Sequence, residues 1–151
     1  MFMRKTNALA LFLLFLNLFM ASCSDSSDVQ EKSADDDYVK NHYSKREVTI
    51  EMRDGVNLHT TIYTPRDTSK AYPMLLKRTP YSCRPYGEDH YPERIGPNKY
   101  MMKEGYIIVY QDVRGRWMSE GTYDNMRAYI PGKNSDKQVD ESSDTYDTIE
   151  W

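Results

Sequence analysis

Apolar and polar residues alternate most regularly between residues 48 and 62. Val48, Ile50 and Met52 are separated by Thr49 and Glu51, the period-two pattern of a half-buried strand. Arg53-Asp54-Gly55 follows, and Asp-Gly predicts a hairpin because glycine accepts a positive φ. Val56, Leu58, Thr60 and Ile62 then alternate toward Pro65 as the return strand. Beyond a loop through Asp67, Thr68 and Ser69, Met74-Leu75-Leu76 is apolar throughout, which reads as a strand covered on both faces and ended by Thr79-Pro80. Lys99 to Glu104 reads as a short helix stopped by Gly105, and Tyr106 to Tyr110 as the next strand. Strand, helix, strand implies a parallel pair with a crossover, hence an α/β fold. Residues 122–143 are polar, contain Pro131-Gly132 and read as an excursion. A last helix is expected from Asp144 as N-cap, with Tyr146, Ile149 and Glu150 at helical spacing. No helix-stop signal precedes Trp151, so a truncated chain is expected.

The N-terminus follows a different pattern. Arg4 and Lys5 precede an apolar run from Ala8 to Met20, interrupted only by Asn17. That run is short for a membrane span and suits the core of a signal peptide over residues 1–22. It ends in Met20-Ala21-Ser22-Cys23, which resembles a bacterial lipobox. Cys23 is therefore the expected lipid-attachment residue. A lipid anchor there would hold the mature protein to a membrane of the bacterial cell envelope, facing the periplasm or the cell surface. Residues 24–40 hold six acidic residues against Lys32 and Lys40, with few apolar side chains. Such a segment buries too little surface to offset its ordering entropy, so residues 23–43 are expected to form a disordered acidic tether. The Asp35-Asp36-Asp37 triplet is not followed by the glycine that a calcium loop needs, so it reads as a solvated spacer.

Composition narrows the body further. At 151 residues, one small domain is the limit. A net charge of −3 gives no electrostatic case for nucleic acid. Two cysteines cannot supply a disulfide framework or a four-cysteine zinc site. Thirteen tyrosines, with few leucines beyond the first 20 residues, favour a loop-rich body built on a sheet.

The candidate chemistry lies in the loops. Tyr81 to Asn98 is a long loop rich in proline and aromatic residues, and long ordered loops tend to carry function. Gln111 to Arg116 is a turn-rich stretch at the C-terminal end of a strand, the edge where open α/β sheets bind ligands. Trp117-Met118-Ser119-Glu120-Gly121 falls short of a G-x-S-x-G nucleophile elbow, since Trp117 is too large for the close strand–helix approach there, and Ser119 reads as a turn residue. Arg114 and Arg116 could bind an anionic group, but bracing loops through carboxylates such as Asp112 or Glu120 is the favoured reading. His59 lies in a strand, and His42 and His90 lie in polar segments. Glu88, Asp89, His90 and Glu93 match no strong metal-ligand spacing, and Cys83 lacks an identifiable base. No metal and no cofactor is expected.

Four blocks carry a resemblance. They are Arg46 to Leu58, Lys77-Arg78-Thr79-Pro80-Tyr81, Gly105-Tyr106 with Gln111 to Arg116 and Ser119-Glu120-Gly121, and Tyr146-Asp147-Thr148-Ile149-Glu150-Trp151. In this order they resemble the X-Pro dipeptidyl-peptidase and cocaine-esterase superfamily, most of all its α-amino-acid ester hydrolase branch. The resemblance implies that residues 44–151 are the N-terminal portion of an α/β-hydrolase catalytic domain. That portion would hold the hairpin and first inner strands, cut before the nucleophile elbow. It implies a Ser-His-Asp mechanism through an acyl-enzyme on a small-molecule or peptide substrate, with all three triad residues beyond Trp151. The 151-residue chain alone is then expected to be inactive. The resemblance also implies that Tyr81 donates its phenol into the oxyanion hole. The rival reading is a lipid-anchored surface binding protein or an inactive fragment.

Overall fold

The computed structural model describes residues 37–151. The expected signal peptide, Cys23 and the tether as far as residue 36 lie outside the described residues. Tyr38–His42 (α1) is a single helical turn leading directly into the first strand. Val39 and Tyr43 are fully buried, so the fold begins several residues before 44 and takes in the end of the expected tether. The aromatic side chains near residue 40 supply the apolar area that the acidic stretch before them lacks.

Tyr43–Glu51 (β1) and Asn57–Pro65 (β2) form the hairpin, paired antiparallel with Ile50 opposite Leu58. Its turn closes through Gly55 N–H to Met52 O at 2.8 Å, with Gly55 at φ +84°. Met74–Thr79 (β3), Lys99–Glu104 (α2) and Ile107–Asp112 (β4) make the crossover unit, with β3 and β4 parallel. Asn98 caps α2 by accepting from the N–H groups of Tyr100 and Met101, and Gly105 ends it in the left-handed region. β4 runs two residues past its expected end because Gln111 and Asp112 pair with Arg78 and Thr79. The sheet order is β1-β2-β4-β3, so β3 stands at an edge.

Glu141–Glu150 forms the last helix (α3), which starts four residues earlier than expected. Its N-cap is Asp140, not Asp144. Asp140 accepts from Ser143 N–H at 2.9 Å, and Ser143 Oγ accepts from Asp140 N–H at 2.8 Å. This reciprocal capping box frees Asp144 to point inward from the first turn.

The two faces of the sheet are covered differently. Tyr63, Ile108 and Leu75 lie side by side on one face, where Val39, Tyr43, Ile95 and Met102 pack over them. On the other face, Ile50 and Leu58 pack with Met52, while Ile62, Val109 and Leu76 line an apolar pocket of about 320 Å³ with Ile149 and Trp151. The apolar run at β3 thus has cover on one face only among the described residues, and Met74 is 59% exposed. No helix of the described residues is long and apolar enough to cross a membrane.

Candidate active site

The site is built at the C-terminal ends of β3 and β4. Their parallel register sets Thr79 beside Asp112, so the loops leaving both strands start together. Asp112 is fully buried and ties those loops to each other. Its carboxylate accepts from Cys83 N–H at 3.0 Å, Tyr86 O–H at 2.8 Å and Met118 N–H at 3.4 Å. A carboxylate removed from water needs such donors, and here they come from both loops. Lys45, buried on β1, holds the first loop from below. Its ammonium donates to Pro85 O, Gly87 O and His90 O at 2.5, 2.7 and 3.1 Å and pairs with Glu47 at 2.7 Å. Burial would raise the Glu47 carboxyl, but hydrogen bonds from Lys45 and Gly87 N–H hold it below its ordinary value.

Tyr81 projects from this braced base. Its N–H donates to Thr79 Oγ1 at 3.1 Å, and its side chain is 86% exposed. The phenol has no hydrogen-bond partner among the described residues. Next to it, Ser82 has φ +97°, and Trp117 on the facing loop has φ +50°. These are two of the three non-glycine residues with positive φ among the described residues. Such conformations cost about 1–3 kcal/mol each and persist where surrounding contacts over-determine them, most often near functional sites. A pocket of about 180 Å³ beside Tyr81 is lined by Lys77, Arg84 and Arg94 and by no carboxylate.

The remaining candidates have structural partners. Ser119 Oγ donates to Asp112 O at 2.6 Å and accepts from His59 N–H at 2.8 Å, so it holds the loop against β2. Cys83 is buried, and burial with the nearby Asp112 pushes its thiol well above the ordinary range, which leaves it unreactive. His42 stacks on Tyr38 with ring centroids 4.0 Å apart, His59 meets the Tyr86 ring edge-on at 5.3 Å, and His90 bonds Tyr86 O at 2.9 Å. Glu88 accepts from Glu47 N–H at 3.1 Å. The described residues contain no group of three His, Cys, Asp or Glu side chains placed to hold a metal ion.

The arginines brace, but through other partners than expected. Arg114 is buried and bidentate to Asp54 in the hairpin turn, at 2.8 and 3.1 Å, and reaches Asp144 at 2.7 Å. Asp112 is occupied by the loop donors, and Glu120 by Asn57 N–H and Nδ2, both at 3.1 Å. Gly115 and Gly121 let the loop turn back tightly over Arg114, since a Cβ on Gly115 would sit 2.1 Å from Tyr123 N. Arg78 also bonds Asp144 Oδ2, at 3.2 Å, and pairs with Glu141 at 2.5 Å. Gln111 continues the network, accepting from Arg78 Nε at 2.8 Å and donating to Thr60 and Thr148 at 3.0 and 2.9 Å. No buried side-chain nitrogen or oxygen of the described residues is left without a partner. Arg116 pairs with no carboxylate among the described residues, and its Nε donates to Pro80 O at 3.2 Å.

A mixed sheet with a β3-α2-β4 crossover and paired loops at the strand ends is an α/β architecture, and its structural neighbours are α/β-hydrolase-like enzymes. The comparisons agree. An α-amino acid ester hydrolase matches 85% of this chain at 37% identity with a TM-score of 0.60, over 21% of its own length. An aminopeptidase from the marine sediment archaeon Thaumarchaeota archaeon matches 87% at 36% identity and a TM-score of 0.61, over 22% of its length. The cocaine esterase of Rhodococcus sp. (strain MB1 Bresler) is 32% identical over 106 residues, which is 69% of this chain and 16% of that enzyme. The X-Pro dipeptidyl-peptidase (S15 family) pattern matches residues 54–151. The chain belongs to that family of hydrolases. It spans about a fifth or less of the length of these relatives.

Proposed function

We propose that this chain supplies the first part of the catalytic domain of a serine hydrolase. The full-length product would cleave ester or amide bonds of acyl or α-amino-acyl substrates through an acyl-enzyme. In this reading the Ser, Asp and His follow Trp151. The serine oxygen adds to the substrate carbonyl as its proton passes to the histidine. The C=O double bond opens and leaves negative charge on oxygen, which Tyr81 O–H meets as a donor. Collapse of that intermediate expels the alcohol or amine, which takes the proton from histidine. A phenol suits the task because its ordinary pKa of about 10 keeps the proton in place at neutral pH. The observation that carries the reading is a free, outward phenol on a backbone held by buried partners, at the strand edge where such sheets bind ligands. The cations lining the adjacent pocket favour the developing negative charge.

The test is Tyr81→Phe in the full-length enzyme, with an α-amino-acid methyl ester as substrate. Loss of one oxyanion donor should lower kcat by about 10²–10³ with little change in KM. A folded variant with near-normal kcat would remove Tyr81 from the mechanism. We further propose that Cys23 is lipidated and holds the protein to the cell envelope. One acyl chain binds a membrane marginally and two bind it stably. Wild type should partition into detergent and incorporate labelled palmitate, and Cys23→Ala should do neither.

A further inference from the structure

The peptide unit that enters Tyr81 is gripped at both ends. At one end, Tyr81 N–H donates to Thr79 Oγ1. At the other, Pro80 O accepts from Trp117 Nε1 at 2.9 Å and from Arg116 Nε at 3.2 Å. The carbonyl and the following N–H belong to one rigid plane, so these three bonds fix the plane and with it the Tyr81 Cα. Only rotations beyond that plane remain to aim the phenol.

Both outer donors come from the loop after β4, not from the loop that carries Tyr81. Trp117 is set there in a left-handed conformation that a bulky residue adopts only when its surroundings impose it. Two guanidiniums lie over its indole, Arg84 at 5.1 Å and Arg116 at 5.7 Å from the ring centre. Arg84 stands three residues beyond Tyr81, so the stack joins the two loops a second time. Arg116 also lies 5.0 Å from the Tyr123 ring, which extends the stack along its own loop. Cations over aromatic faces attract through the ring quadrupole.

We infer that Arg116 and Trp117 are positioning residues for Tyr81. They hold the Pro80–Tyr81 peptide so that the phenol is already aimed where the oxyanion forms. This rests on the oxyanion role proposed for Tyr81. Donors of that kind act through preorganisation, and a displacement of about 1 Å can cost about 100-fold in rate. A loop brace without that role would change stability and leave the kinetics of a folded enzyme intact.

The full-length enzyme tests this with Trp117→Phe, which removes the Nε1 donor and keeps an aromatic ring beside the guanidiniums. Arg116→Met removes the second donor, and Arg116→Lys restores a cation able to reach Pro80 O. Trp117→Phe combined with Arg116→Met should lower kcat about 10- to 100-fold with KM nearly unchanged. Arg116→Lys should recover part of the loss that Arg116→Met causes. In a Tyr81→Phe background, Trp117→Phe should lower kcat no further, because both changes act through one donor. Two results overturn the inference while leaving the role of Tyr81 standing. One is normal kcat in folded Trp117→Phe and Arg116→Met enzymes when Tyr81→Phe is impaired. The other is an equal loss from Trp117→Phe with and without the Tyr81 phenol. Normal kcat in Tyr81→Phe itself would remove the oxyanion reading and the positioning role together.

Discussion

The two faces of the sheet are held by different physics. On the face of Tyr63 and Ile108, aromatic and aliphatic side chains from α1, α2 and the 80–98 loop close over the strands. On the face of Ile62 and Val109, α3 covers one end through a polar network, and the rest is an apolar pocket bordered by Met74, Ile149 and Trp151. Nonpolar burial fills one face without much directional demand. The polar end of the other face depends on named partners, because each buried charge requires its own. The candidate site sits at the strand ends, where Asp112 on the first face ties the two loops together and Gln111 on the second joins the network beneath α3.

The largest expected effect is on the polar network. Asp144 is shared by Arg78 and Arg114, so Asp144→Ala leaves two buried guanidiniums short of a partner. Breaking a buried ion pair costs about 3–5 kcal/mol, and a urea midpoint should fall accordingly. A loss below about 1 kcal/mol would mean that Asp54 and Glu141 suffice, and the contrast between the faces would weaken.

A pair of substitutions compares the faces directly. Ile108 is buried on the covered face, and Met74 is exposed at the edge of the open one. Ile108→Ala should cost about 2–5 kcal/mol, whereas Met74→Lys should change stability by less than about 0.5 kcal/mol. Met74→Lys should also reduce binding of a hydrophobic dye by breaking the apolar patch. Equal losses at the two positions would show that both faces are closed in solution.

The smallest effect concerns acid. Burial would raise the Asp147 carboxyl, but hydrogen bonds from Arg53 hold it below its ordinary value. Burial likewise opposes, and bonds from Lys133 and several backbone N–H groups overcome, for Asp140, which lies well below the usual range. A folded-state pKa below the unfolded one gives stability that is present above the unfolded value of about 4 and is lost as pH falls further. Urea midpoints measured from pH 5 downward should therefore drop, and the drop should be shallower in Arg53→Ala. An unchanged acid slope in that variant would leave the Asp147 pair without a part in linking hairpin and helix.

Some of this architecture was legible in local residue order. The hairpin follows from period-two apolar positions and Gly55, and α2 follows from the helical run before Gly105. Other features had no local signal. Asp144 reads as a cap because it is an aspartate before helical spacing, yet Asp140 holds that place through Ser143. Lys45 lies in the polar stretch Ser44-Lys45-Arg46, where nothing marks it as buried beneath a loop 40 residues away. Arg114 and Arg116 look alike in sequence. One is drawn to the carboxylates of a hairpin turn and a distant helix, and the other to a carbonyl.

The sequence by itself determined those elements whose causes lie within a few residues: alternation, glycine at a positive φ, the short helix and the proline before Tyr81. Only the tertiary structure decided the strand order, the partners of the buried charges and the grip on Pro80 O. The reason is range. Dihedral preference and side-chain periodicity act between chain neighbours. A buried arginine or a shared carbonyl is satisfied by whatever donor or acceptor the folded sheet brings within about 3 Å, at any distance along the chain.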